Sequence, residues 1–365
     1  MNAPLQPGRF FLPGPTEVHP DVLAAQAQAM IGHRGPGIQD LMKRLDDGLR
    51  PLFLTNHPVI ISTSSATGLM EAAIRNGTVG GRVLSLVNGA FSSRFAEIGR
   101  MCGVDVDAWE VRWGSAHSPE ELADRLAQGS YDAVTLSQSE TSTGALQDLQ
   151  GLAAVVAEHE DTLLLVDSVT GIPGVETHTD AWAIDFILTG SQKALALPPG
   201  LAFGVASDKM MARSAEAAGR GWYFALDRLM KQLANHQSPS TPAVSLLYAL
   251  DVQLQRIADE GVNARWARHL AMQARTMDWI TQMRASGVDI RPYADEGSRS
   301  PTVTTIAMPG DEGSPALVKE MRNQGWVIGG GYGKIKDETF RIGHMGDHTV
   351  DELNELLDVL GDVLE

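Results

Sequence analysis

Lys193 stands in the stretch IDFILTGSQKAL (184–195), where an apolar run ends in a turn of small residues and delivers a single amine just beyond it. Most lysines are plain surface charge, so the neighbours must decide what this one does. Asp167 closes another apolar run in TLLLVDSVTG (162–171). The interval between the two leaves room for one helical excursion and a returning strand, so both groups can face one crevice at the carboxyl edge of a sheet. A third stretch, IISTSSATGLMEAAIRN (60–76), is a strand that runs through hydroxylated residues into a helix beginning near Thr67. The free backbone N–H groups and positive end of such a helix can hold an anion, with the Ser65 and Thr67 hydroxyls as further donors, unless these residues only cap the helix. Nowhere is there G-x-x-x-x-G-K-[ST], nor G-x-G-x-x-G after a strand, so a nucleotide is not the obvious anion. LSQSETSTG (136–144) brings Thr141, Ser142 and Thr143 to the end of another strand. An amine, a carboxylate and an anion-binding helix terminus on one sheet edge suggest a site for pyridoxal phosphate. The phosphate would take the helix terminus, the aldehyde the lysine amine, and the ring nitrogen the carboxylate.

Such a site requires an α/β frame. Short apolar runs at 59–62, 83–87, 104–109, 133–136, 163–166, 186–188 and 201–206 alternate with helical patterns at 67–75, 92–100, 119–128 and 152–158. That alternation predicts a mostly parallel sheet in an α/β domain. After about residue 215 the character changes: long helices are expected across 242–283, short strands near 302–307 and 326–328, and a last helix at 350–364. The expected organisation is an arm over 1–15, a large cofactor-binding domain over 16–260 and a smaller α+β domain over 261–365.

Composition narrows the function further. The 365 residues carry 29 Lys and Arg against 45 Asp and Glu, for a formal charge of −16 and a pI near 5.0, which disfavours nucleic acid and anionic membranes as partners. One cysteine, Cys102, excludes an intramolecular disulfide and a thiolate zinc site. With no apolar run suited to a signal peptide or a membrane span, the expectation is a soluble cytoplasmic protein.

The segments LPGPTEV, SATGLMEAA, NGAFSSRF, ETSTG, LLVDSVTG, GSQKALALPPG, STPAVS and FRIGHMG run in order from about residue 10 to residue 346. This series resembles the class V aminotransferases, the fold type I pyridoxal-phosphate-dependent transferases, and within them the alanine–glyoxylate and serine–pyruvate group. The resemblance implies Lys193 as the covalent anchor of the cofactor and Asp167 as the partner of its ring nitrogen. Val169 and Phe91 would lie on the two ring faces, Phe91 where several relatives carry tryptophan. Thr141 would donate to the ring hydroxyl, while Ser65, the amides of Ala66 and Thr67, and Gln192 would hold the phosphate. A neighbouring subunit would complete the phosphate cup through Thr241, so a homodimer is implied. Ser238 replaces a tyrosine common in close relatives. Arg341 would fix the substrate carboxylate through two parallel hydrogen bonds. His33 and Arg34, in GHRGPG, match a family turn near the active site without a defined role.

The expected activity is a ping-pong transamination from alanine or serine to glyoxylate or pyruvate. The alternatives are a related lyase or pyridoxamine-type transaminase, and a catalytically silent assembly protein on the same fold. Other stretches have plainer readings. His344 and His348, in HMGDH, are separated by Gly346, which breaks the helix a zinc pair needs, so no metal is expected. GGGYGK (329–334) is expected to be a lid near the substrate. Cys102 is expected to be buried and inert as the chain enters a strand.

Overall fold

The seven apolar runs become the seven strands of one sheet. Across it the order is Ile60–Ser62, Ala202–Ala206, Phe186–Gly190, Leu163–Asp167, Ala133–Ser137, Arg82–Val87 and Asp105–Glu110. A computed structural model describes residues 6–308 and 313–365, so the first five residues of the expected arm lie outside the described residues. Ala202–Ala206 runs antiparallel to both its neighbours, and the four remaining pairings are parallel. The other six strands therefore point one way, and their carboxyl ends share an edge. Every residue of Leu163–Asp167 and of Phe186–Gly190 is buried, which is why these strands read as continuous apolar runs rather than alternating ones.

Helices Ala66–Gly77, Ala90–Met101 and Leu149–Ala157 leave that edge and return the chain to the far side. Cys102 differs from expectation: it caps the end of Ala90–Met101 and is only half-buried. Gly103, at φ +82°, ends the helix there, and the strand begins only at Asp105.

A second, five-stranded sheet is ordered Phe10–Phe11, Val327–Gly330, Thr339–Ile342, Thr304–Ala307 and Arg291–Pro292. Its apolar cluster joins Phe11, Ile306 and Phe340 to Trp279 and Ile280 of helix Val262–Ala285 and to Leu353, Leu356, Leu357 and Leu360 of helix Val350–Leu364. The last four fall on one helical face, behind a capping box formed by Thr349 and Glu352. The larger cluster instead takes Val244, Leu247, Leu250 and Ile257 from helix Val244–Glu260. Apart from Phe11, the smaller cluster draws on residues from Met272 onward, while the larger one reaches as far as Val262. Among the described residues no helix is long and apolar enough to cross a membrane.

Candidate active site

The shared edge gathers the chemistry. Asp167 is the last residue of its strand and lies in register with Ser137 on one side and Leu188 on the other. Its carboxylate accepts from the Val169 N–H at 2.9 Å and from the Ser137 hydroxyl at 2.9 Å. The side chain is buried, and that burial pushes its pKa up to about 6, with Glu140 adding to the rise. The two hydrogen bonds and the charge of Lys193 oppose it. Lys193 follows the end of strand Phe186–Gly190 by three residues and is itself buried. Burial lowers it to about 8; the charges of Arg341 and Arg94 add to the fall, and Asp167 opposes it. Each of the two charges thus favours the ionised form of the other.

The amino-terminal segment walls this lysine. Lys193 Nζ donates to the Pro13 carbonyl at 2.5 Å, and the Thr16 hydroxyl donates to the Lys193 carbonyl at 3.0 Å. Gly14 has φ +103°, and a Cβ there would stand 2.3 Å from Nζ, so both the backbone conformation and the space require glycine.

At the other end of the site Ser65 is the N-cap of Ala66–Gly77 but makes no side-chain cap hydrogen bond. Ser118, Asp148, Ser207 and Thr349 all cap their own helices in that way. The Ser65 hydroxyl and the first-turn amides of Ala66 and Thr67 are thus left for a ligand. The Gln192 side chain lies beside them: a Cβ at Gly190 would be 3.1 Å from Gln192 Oε1 and 3.4 Å from the Ala66 methyl. Thr241 is exposed, on a segment that meets this region where the Ala243 N–H donates to the Thr63 hydroxyl at 3.3 Å. Ser238 folds onto its own segment through the Ser240 carbonyl, and His33 and Arg34 are exposed.

Phe91, in the first turn of Ala90–Met101, has its ring centroid 6.0 Å from Lys193 Nζ. The placement of Phe91 depends on Glu140, which is wholly buried and accepts from the Phe91 and Ser92 N–H groups at 3.1 and 2.9 Å and from the Ser142 hydroxyl at 2.7 Å. Val169 is half-buried next to Asp167, and the Thr141 hydroxyl is hydrogen-bonded to that of Thr170.

Arg341 lies within strand Thr339–Ile342 and is 9 % exposed, so it is not the surface arginine a strand residue could have been. Its Nε donates to the Gly330 carbonyl at 2.7 Å and Nη1 to the Thr141 carbonyl at 3.3 Å. Burial lowers its pKa to about 10, which leaves it charged at neutral pH. Among the described residues it makes no ion pair, and its Nη2 has no hydrogen-bond partner.

Ser137, Glu140 and Gly14 escape the sequence reading. The first is visible only through strand register and the other two only through contacts between distant segments, although Glu140 and Gly14 lie inside the motifs ETSTG and LPGPTEV. The histidines of HMGDH are engaged otherwise: His344 Nε2 with the Thr304 hydroxyl at 2.8 Å, and His348 Nε2 with the Phe10 carbonyl at 2.9 Å. Among the described residues no cluster suited to a metal ion occurs.

The fold and its edge define an α/β enzyme of the fold type I kind. The family model for class-V aminotransferases matches residues 20–325. The chain is 33% identical over 341 residues to a protein of a Synechococcus strain named as the small subunit of a soluble hydrogenase, covering 92% of this chain and 88% of that one. It is 30% identical over 370 residues to the serine–glyoxylate aminotransferase of Methylorubrum extorquens, covering 98% and 90%. The crystal structure of an alanine–glyoxylate aminotransferase from Nostoc sp. matches at a TM-score of 0.92 and 30% identity, over 100% of this chain and 97% of that one. The chain belongs to the class-V aminotransferases and depends on pyridoxal phosphate. Its residues fit that group: an uncapped helix start beside Gln192 suits the phosphate. A buried carboxylate pushed upward gains from a cationic ring nitrogen, and a buried amine of lowered pKa suits an aldehyde.

Proposed function

We propose that this aminotransferase moves the amino group of a small amino acid, alanine or serine, to a small 2-oxo acid, glyoxylate or pyruvate, in a ping-pong cycle. Arg341 carries this reading. A buried, charged guanidinium held by two carbonyls and lacking a carboxylate partner bears a desolvation cost that an incoming carboxylate relieves. That carboxylate then lies within reach of the charge of Lys193, so the donor's α-carbon is brought to the amine. The relatives named for alanine, serine and glyoxylate support the choice of substrates.

When bound, pyridoxal phosphate supplies the aldehyde that takes the amino group and the ring that withdraws electrons from the α-carbon. Ser65, Ala66, Thr67 and Gln192 would hold its phosphate, Phe91 and Val169 its ring faces, Thr141 its ring hydroxyl, and Asp167 its nitrogen. Lys193 would hold the aldehyde, and its free amine would carry the α-proton on Nζ. Its lowered pKa keeps a usable fraction of free amine near neutral pH. Thr241 of a second copy completes the phosphate cup, which makes the working enzyme a homodimer, here placed in the cytoplasm. Residues 16–260 and 261–365 serve as its two domains, a boundary supported by the larger apolar cluster reaching only to Val262.

The test is a donor and acceptor screen with purified holoprotein. L-Alanine or L-serine with glyoxylate should yield glycine with parallel double-reciprocal lines, and Arg341→Lys should raise the donor KM by about tenfold or more, because a point charge replaces a planar fork. Pyruvate released from serine without any acceptor points to a lyase instead, and amino transfer from free pyridoxamine but not from amino acids points to a pyridoxamine-type enzyme.

A further inference from the structure

Tyr332 is the one residue with a side chain in the run Gly329–Gly333, and its place is fixed from several directions. Its ring stacks on Phe91 with centroids 5.3 Å apart and planes 20° from parallel. Its hydroxyl accepts from Arg94 Nη2 at 3.0 Å. The backbone on either side has no slack: a Cβ at Gly331 would meet the Thr339 hydroxyl at 2.5 Å, and one at Gly333, where φ is +61°, would meet the Trp113 ring at 2.9 Å. Lys334 then ties the loop across the cleft, with Nζ 4.4 Å from the centre of the Trp113 ring and 3.1 Å from the Glu110 carboxylate.

The guanidinium carbon of Arg341 lies 5.5 Å from the centre of the Tyr332 ring. A carboxylate carbon paired with a guanidinium sits about 4 Å from that carbon, and the α-carbon is one bond farther. Arg341 and Phe91 therefore bracket the space in which the donor's α-carbon must lie, and Tyr332 touches both. We propose that the Tyr332 ring sets the upper limit on the donor side chain, leaving room for a methyl or hydroxymethyl group and excluding branched or aromatic ones. Stacking on Phe91 keeps the ring from swinging out, which makes the limit rigid rather than adjustable. The inference rests on the reading of Arg341 as the carboxylate anchor. It adds to that reading a specificity-determining residue in a loop of the smaller sheet, distant in sequence from every other residue of the site except Arg341.

The experiment compares wild type, Tyr332→Ala and Tyr332→Phe as holoenzymes. Each is given L-alanine, L-serine, L-leucine, L-phenylalanine and L-aspartate in the first half-reaction, followed by the change in absorbance of the bound cofactor. Tyr332→Ala should raise the ratio of kcat/KM for leucine over alanine by about tenfold or more, the scale set by apolar pocket contacts. Tyr332→Phe, which keeps the ring, should leave that ratio within about twofold. Tyr332 is 37% exposed, so neither variant should disturb folding, and equal melting temperatures would confirm it. A size profile identical in wild type and Tyr332→Ala overturns the proposal, as does a Tyr332→Phe profile shifted as far as that of Tyr332→Ala. Failure of the small-donor reading is distinct: wild type would then ignore alanine and serine, while movement or constancy of the profile among the donors it does accept still decides the role of Tyr332. If Tyr332→Lys or loss of the loop altered only the KM for every donor equally, the ring would be acting on Arg341 alone and the size limit would be wrong.

Discussion

Asp167 works against the fold so that it can serve the site. Its pKa in the folded protein is raised from 3.8 to about 6 by burial. In the protein free of cofactor, the folded state therefore binds the proton more tightly than the unfolded chain does. The stabilisation this gives is fully present below about pH 4 and is lost as pH rises through about 6, so at neutral pH the ionised carboxylate is a liability of about 3 kcal/mol. Asn at this position cannot ionise and escapes that titration. Urea melts of the cofactor-free proteins should show the stability of Asp167→Asn relative to wild type moving in the variant's favour by about 2.5 kcal/mol between pH 4 and pH 7. A difference that stays flat across that range would mean the carboxylate is as well solvated in the fold as outside it. The holoenzyme should show the reverse preference, since only a carboxylate can balance a protonated ring nitrogen, and the variant's turnover should fall by orders of magnitude.

At the scale of elements, the question is how two sheets hold Lys193 and Arg341 at a fixed separation. Arg265, buried in helix Val262–Ala285, donates to Glu260 at the end of the preceding helix at 2.8 Å. It also donates to Asp347 in the loop after strand Thr339–Ile342 at 3.0 Å and to the Ala194 carbonyl directly behind Lys193 at 2.7 Å. One guanidinium thus joins the lysine turn to the strand that carries Arg341. Removing it strands buried acceptors, so Arg265→Met should cost about 3–5 kcal/mol in a urea melt; a loss under about 1 kcal/mol would show the junction to be held by packing alone. None of this is visible in the sequence, where Arg265 is one of many arginines in a helical stretch. The central large-sheet strands are legible because burial on both faces makes them apolar runs, whereas the largely exposed edge strand Asp105–Glu110 shows only alternation. Lys193 and Asp167 could be singled out because each sits where such a run stops. Helix Pro36–Phe53 is masked by Gly48 and Pro51, residues that count against a helix, although Ile38, Leu41, Met42, Leu45, Leu49 and Leu52 recur at helical spacing, and strands of two residues such as Phe10–Phe11 are too short to show a period. Ser137, Glu140 and Tyr332 reach the site only through register or across the cleft, relations that local patterning does not record.

At the scale of the whole molecule, the proposed phosphate end lies beside exposed surface. Thr241 is exposed, and the nearby side chains of Trp222 and Tyr223 are 55% and 45% exposed beside a groove that Thr63 and Ser238 also line. Large aromatic rings left in water next to the proposed phosphate site are the kind of surface a second copy covers. If each site takes Lys193 from one chain and Thr241 from the other, two differently damaged chains should rescue one another. Lys193→Ala destroys the site on its own chain, and Thr241→Asp places a negative charge against the phosphate bound by the other. In a mixed dimer, one site combines both lesions while the other receives an intact Lys193 and an intact Thr241. Each variant alone should be nearly inactive, and random mixing of equal amounts, half of whose dimers are mixed and carry one good site, should restore about a quarter of wild-type activity. Should Thr241 serve the site on its own chain instead, no mixed dimer holds an intact site and mixing restores nothing. Sedimentation of the mixture at the assay concentration establishes that dimers are present, so an absent rescue counts against the shared cup rather than against assembly.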